Sequence, residues 1–195
     1  MQLRPYQQDA VDSAVSWMKK CKSPAVLELA TGAGKSWIAA AIAKWFIENA
    51  QKKVLILQPS LELTEQNYSK WIATGEKASI FSASANSKCT RYDVIYGTPK
   101  TVLNSIERFG DKFGLIIIDE CHQITPTIKE IISKIKSKNE RLRVIGMTAT
   151  PYRMNTGYIY HQNLVTNKAL AEEEAINPYF AALLYSIKTR ELISM

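Results

Sequence analysis

Residues 25–36 read AVLELATGAGKS, and the reading of this stretch decides the fold. A short run of strand character enters a loop with glycines at 32 and 34, and the loop ends in Lys35 and Ser36 at the head of a helical segment. A strand that passes through such a loop into a helix turns the helix N-terminus, with its unpaired N–H groups, toward the concave side of the loop, where an anion is favoured. Gly32 and Gly34 let the backbone turn and approach an anion with no Cβ in the way. Lys35 brings a mobile positive charge to the outer phosphates of a nucleotide, and Ser36 brings a hydroxyl for a divalent cation. The phosphate-binding set is therefore Thr31, Gly32, Ala33, Gly34, Lys35 and Ser36. Leu29 stands where such loops ordinarily carry their first glycine; at a strand end its side chain can turn into a core.

The same alternation runs outward in both directions. Apolar runs at 53–58 (KVLILQ), 78–81 (ASIF), 93–96 (DVIY), 115–119 (LIIID) and 143–147 (RVIGM) alternate with helical patterns at 5–20, 35–49, 61–72 and 126–136. Pro5 opens the first helix, Ser60 caps the third and Thr125-Pro126 begins the fourth. Strands alternating with helices imply a parallel sheet, and their near-continuous apolar character implies helices on both faces. The expected fold is a doubly wound α/β domain over residues 1–153. Beyond TATPYR the pattern weakens; 154–195 reads as a connecting segment, with 177–187 one further helix or strand.

A chain of 195 residues suits one full-sized core. No apolar run is long enough to span a bilayer, and MQLRPYQQDA lacks a signal-peptide pattern. Cys21, Cys89 and Cys121 have no paired spacing, which fits a reduced, cytoplasmic protein without a zinc site. The net charge is +7; after residue 150 four basic residues face four acidic ones, so the whole excess lies before that point. Such a balance suits phosphate-rich partners such as nucleic acid, and equally a solvated basic surface.

A phosphate loop requires a partner that holds Mg²⁺ and a group that polarises water. Residues 115–122, LIIIDECH, supply both at a strand's carboxyl end: Asp119 for the metal together with Ser36, and Glu120 for the water. Catalysis is thus assigned to Glu120, Lys35 and Asp119.

The phosphate loop followed by DECH resembles the superfamily 2 helicases and translocases, whose domains are RecA-like P-loop NTPases. LRPYQ at 3–7 resembles their adenine-recognition segment, which implies Gln7 and Arg4 at the base. LQPSLEL at 57–63 and GTP at 97–99 resemble motifs Ia and Ib, which implies that Pro59, Ser60, Leu63, Thr98 and Pro99 touch a nucleic-acid backbone. TAT, made of Thr148, Ala149 and Thr150, resembles motif III, which couples ATP to the strand-binding face, and His122 fits a relay toward Thr148 and Thr150. Within the superfamily, LRPYQQDAVD, TGAGKS, IIIDECHQI, GMTATPYR and GYIY most resemble the bacterial RadD-type DNA-repair ATPases, with type I and type III restriction translocases sharing much of the pattern.

The resemblance implies ATP and Mg²⁺ as ligands, single-stranded DNA as the nucleic acid, a single-strand-binding or repair protein as partner, and no membrane association. It also implies a second RecA-like domain that supplies an arginine finger; no motif of that domain is present, so a monomeric chain that binds ATP or ADP and hydrolyses slowly is expected. A nucleotide-gated DNA clamp without turnover and a restriction-type translocase subunit are the alternatives.

Three features keep two readings each. Lys129, Lys134, Lys136, Lys138, Arg141 and Arg143 form either a phosphate-binding cluster or, as their helical spacing favours, a solvated helix face. Trp17, Trp37, Trp45 and Trp71 serve core packing more readily than base stacking. Ser60 and Thr98 suit helix capping as well as phosphate contact, since both need the same hydroxyl.

Overall fold

The computed structural model describes residues 2–194. In chain order its elements are α1 (Pro5–Lys20), β1 (Ala25–Leu29), α2 (Lys35–Ala50), β2 (Lys53–Leu57), α3 (Leu61–Ile72), β3 (Ser79–Ser82), β4 (Ser87–Lys88), β5 (Val94–Gly97), α4 (Pro99–Leu103), β6 (Phe113–Asp119), α5 (Pro126–Lys138), β7 (Arg143–Thr148), β8 (Tyr152–Arg153), β9 (Gly157–Tyr158), β10 (Tyr160–Asn163), β11 (Lys168–Ala169), β12 (Phe180–Ile187) and α6 (Thr189–Ile193). They fall into two compact units. The first takes residues 43–119 and 124–143; the second takes 2–42, 120–123 and the chain from Val144 onward.

In the first unit the strand order is β6-β2-β5-β3-β4, parallel except for the β3–β4 hairpin. The expected apolar runs lie in these strands: Val54, Leu55, Ile56 and Leu57 of β2 and Leu115 to Ile118 of β6 are buried. Phe81 meets Phe109 edge-on and Phe109 meets Phe113 at a tilt, each pair with ring centroids 4.9 Å apart. Helix α5 buries Ile128, Ile131, Ile132 and Ile135, the stripe of a 3.6-residue period, each contributing about 1.5–3 kcal/mol. Lys129, Lys134, Lys136 and Lys138 lie on its exposed side, a placement that suits a solvated face and a phosphate-binding cluster alike.

The second unit has the order β11-β10-β12-β1-β7, parallel except for β10–β11, with β8 and β9 as a separate hairpin. Its central strand is β1, flanked by β12 (Ala25↔Ala182 to Leu29↔Ile187) and β7 (Ala25↔Ile145 to Glu28↔Thr148). Leu29 is fully buried at the end of β1, so its side chain takes the core role that its strand-end position allows. The residues after Arg153 supply β10, β11 and β12, and β12 runs beside β1 along its whole length. FAALLYSI reads ambiguously because alanine and leucine favour helix while its length and apolarity suit a buried strand. Pairing with β1, a tertiary effect, decides it.

Candidate nucleotide site and candidate nucleic-acid edge

In the second unit β1 hands the chain to the loop at Ala30, whose N–H donates to Ile187 O (3.0 Å). Ala33 N–H closes a turn onto Ala30 O (3.0 Å), and Gly32 and Gly34 take φ of +87° and +82°, a region that only glycine enters without cost. Gly34 is doubly determined: a Cβ there would stand 2.5 Å from Gln7 Nε2. Helix α2 then starts at Lys35, which puts its first-turn N–H groups at the loop.

The start of α1 holds this loop from behind. Tyr6 Oη donates to Ala33 O (3.2 Å) and Gln7 Nε2 donates to the same oxygen (2.9 Å). Gln7 Oε1 accepts the N–H of Arg4 (3.0 Å), so both ends of the buried Gln7 amide are engaged within the protein. Gln7 thus anchors the loop in this structure, while Arg4 stands exposed beside it. Tyr6, adjacent to Gln7 in the RPYQ run, was legible only as its neighbour and is the missed anchor.

Across the loop Lys35 Nζ donates to Glu120 Oε1 at 2.7 Å, with both side chains mostly sheltered. Glu120 has φ +50°, a left-handed conformation that costs a non-glycine residue about 1–3 kcal/mol and is tolerated where the surroundings fix it. Those surroundings are visible. Glu120 O accepts Gln123 N–H (3.0 Å), and Cys121, fully buried, fills the space above Gly146 of β7, where a Cβ would lie 2.6 Å from its Sγ. Gly146 and Cys121 therefore seat the turn that presents Glu120 and His122. Their signal in the sequence was faint: a small apolar-type residue inside DECH and a glycine inside a buried strand.

His122 Nδ1 lies 2.8 Å from Thr148 Oγ1 and 3.4 Å from Glu120 Oε2. Thr148 is fully buried and its Oγ1 accepts Thr150 N–H (3.1 Å). A proton on Nδ1 ties the imidazole to both the hydroxyl and the carboxylate, whereas a lone pair there ties it to Thr148 alone. Lys35, Glu120, His122, Thr148 and Thr150 thus form one connected line within the second unit, with Ala149 half-buried between the two threonines. Asp119 closes β6 in the first unit and directly precedes Glu120 in the chain.

The expected nucleic-acid residues lie in the first unit. Because β2 and β5 are parallel, the loops after them leave one edge, tied by Gln58 N–H to Gly97 O (3.0 Å) and Thr98 N–H to Phe81 O (3.3 Å). Ser60 Oγ caps α3 by accepting Leu63 N–H (3.3 Å). Thr98 precedes α4 without a side-chain cap; its hydroxyl donates to Thr101 Oγ1 (3.1 Å). Pro59 and Ser60 are exposed, and Leu63, Thr98 and Pro99 are half-buried. Gln58, 2% exposed, keeps its Oε1 without a hydrogen-bond partner, an arrangement that costs about 1–3 kcal/mol unless something satisfies it. Trp71 of α3 is buried and donates Nε1–H to Lys77 O (3.0 Å); Trp17, Trp37 and Trp45 are half-buried.

Among the described residues no helix is long and apolar enough to cross a membrane, and no cluster of three or more His, Cys, Asp or Glu could hold a metal alone. Cys21, Cys89 and Cys121 form no disulfide.

The family model described as type III restriction enzyme, res subunit, matches residues 1–153. The ATP-dependent DNA helicase uvsW of Enterobacteria phage T4 is 31% identical over 156 residues, 74% of this chain and 29% of that protein. The putative ATP-dependent helicase IRC3 of Saccharomyces cerevisiae is 27% identical over 210 residues, 96% of this chain and 30% of that protein. The chain spans under a third of these relatives. In fold it matches the crystal structure of the bacteriophage T4 UvsW helicase (TM-score 0.66, 24% identity, 95% of this chain and 60% of that one). It also matches the type ISP restriction-modification enzyme LlaGI, solved with a DNA substrate mimic (TM-score 0.66, 18% identity, 100% and 20%). These likenesses establish the RecA-like α/β fold.

Proposed function

The chain belongs to the type III restriction enzyme res-subunit family, a superfamily 2 helicase-type domain, and on that premise we propose that it is the N-terminal motor domain of an ATP-driven DNA translocase or helicase. The observation that carries this reading is the 2.7 Å pair of Lys35 with Glu120 across a glycine loop held open by Tyr6 and Gln7. Lys35 neutralises phosphate charge in the bound state and must leave Glu120 to do so. That exchange frees the Glu120 carboxylate to orient the attacking water. The His122–Thr148 contact then carries the state of Glu120 to Thr150, two residues past the end of β7.

The oxygen donors of Ser36 and Asp119 are of the type that Mg²⁺ takes. When bound, Mg²⁺ would neutralise charge on the outer phosphate oxygens. Single-stranded DNA is assigned to Pro59, Ser60, Leu63, Thr98 and Pro99, with the unsatisfied Gln58 Oε1 beside them. Backbone contacts of this kind read no sequence, so affinity should fall as salt rises. The motif pattern favours a RadD-type ATPase of the DECH kind, cytoplasmic and active in repair or recombination, with a single-strand-binding or repair protein as partner. A restriction-type translocase subunit is the second reading, favoured by the matching family and by the likeness to LlaGI.

An arginine from a second domain raises phosphoryl transfer by about 10³-fold or more, so the chain alone should turn over slowly. Steady-state ATPase assays of the chain, alone and joined to a second RecA-like domain, each with and without single-stranded DNA, test this. DNA-stimulated turnover only in the joined protein is expected. Equal stimulated rates would contradict the half-motor reading, and no ATP binding by either would contradict the whole of it.

A further inference from the structure

Beside the phosphate loop, within the second unit, opens a cavity of about 690 Å³ whose lining includes Arg4, Tyr6 and Gly32 on one hand and Thr189, Leu192 and Ile193 of α6 on the other. That size lies in the range of small-molecule sites. Helix α6 is held at this position by the sheet: β12 pairs with β1 up to Leu29↔Ile187, Ile187 O accepts the N–H of Ala30, and Lys188 N–H donates to Glu191 Oε2 (2.6 Å) at the helix start. Strand β1 leads into the phosphate loop and its parallel neighbour β12 leads into α6, so the two leave the same edge of the sheet side by side. Leu192 is half-buried and Ile193, an apolar side chain at the cavity, is 80% exposed.

Resting on the nucleotide reading of the loop, we propose that α6 is a wall of the base-binding part of the site, with Leu192 and Ile193 covering a face of the nucleobase. A ligand anchored by its phosphates at Gly32 to Ser36 extends its uncharged, planar end into this cavity. The Gln7 amide spends one N–H on Ala33 O and one lone pair on Arg4 N–H and keeps one of each for a base edge, while apolar cover and the Arg4 guanidinium serve the ring face; a guanidinium stacks well on a planar ring. The segment after Arg153 thereby helps to set nucleotide affinity, and a displacement of α6 alters it without touching the phosphate contacts.

The test separates base from phosphate. Calorimetry on the whole chain measures binding of ATP and of inorganic tripolyphosphate, each with Mg²⁺, to the wild type, to Leu192→Ser/Ile193→Ser and to Lys35→Ala. The double serine variant should lose about tenfold in ATP affinity and keep its tripolyphosphate affinity, since only the apolar cover of the base is removed. Equal loss of ATP and tripolyphosphate in the double variant, or loss of neither, would overturn the proposal. Lys35→Ala should lose both ligands; if it keeps both, the phosphate-loop reading fails first, and that result is distinct from any change at α6.

Discussion

The loop at residues 30–36 and the edge at residues 58–63 and 97–99 both follow buried parallel strands, yet they are built differently. The loop demands unusual backbone: two glycines at positive φ, a strained Glu120 facing them, and Tyr6 and Gln7 fastening Ala33 from behind. The edge demands nothing unusual. Its Ser60 is an ordinary helix cap, its Thr98 hydroxyl bonds to Thr101, and the cost it carries is a buried Gln58 Oε1 without a hydrogen-bond partner. Chemistry that needs particular geometry leaves its cost in the backbone, whereas a surface that only follows a phosphate chain can be made of the parts every helix start uses.

The sharpest way to probe that contrast is Glu120→Gln. Turnover in a two-domain protein should fall by about 10²–10⁴-fold, the range for loss of a positioned acid or base. ATP affinity should stay the same or tighten, because Lys35 no longer has a carboxylate competing with phosphate. A loss of ATP binding as large as the loss of turnover would show that Glu120 shapes the loop instead of acting on water.

A smaller effect is expected one layer below the site. Gly146→Val forces a side chain against Cys121 and should destabilise the chain by about 1–3 kcal/mol, read as a lower melting temperature. It should also lower turnover by moving the turn that carries Glu120 and His122. Unchanged stability and activity would mean that the Cys121–Gly146 contact does not seat the site.

The smallest change is at the edge. Ser60→Ala removes a cap worth about 1 kcal/mol, and Thr98→Ala removes a hydroxyl that caps nothing. If these residues touch DNA, the double variant lowers affinity for single-stranded DNA in fluorescence anisotropy at low salt and leaves ATP affinity unchanged. A lower melting temperature with unaltered DNA affinity would leave Ser60 as a cap only, and the contrast between the two regions would become one between a site and a plain surface.

Much of this was legible in the sequence because each visible part carries a strong local signal. The glycine spacing before Lys35, the acids ending an isoleucine run and the isoleucine stripe of α5 are short-range patterns, and the elements that hold them appear within a residue or two of their expected bounds. The capping role of Ser60 was legible for the same reason. What stayed hidden depends on tertiary pairing. Nothing local in FAALLYSI says that it lies along β1, nothing in Thr189, Leu192 or Ile193 says that they reach the cavity beside Gly32, and nothing in Gln7 says that Ala33 already holds its amide. Gln58 reads as a polar residue ending a strand, and only its burial makes it noteworthy.

The central claim is that Lys35 binds phosphate in the ground state while Glu120 acts only on the attacking water. Isothermal calorimetry with ATP and Mg²⁺ on wild type, Lys35→Ala and Glu120→Gln tests it most directly. Lys35→Ala should lose most of the affinity, by about tenfold or more for a charge-assisted contact of about 1.5–3 kcal/mol, and Glu120→Gln should bind at least as tightly as the wild type. Equal loss in both variants, or no loss in Lys35→Ala, would contradict it.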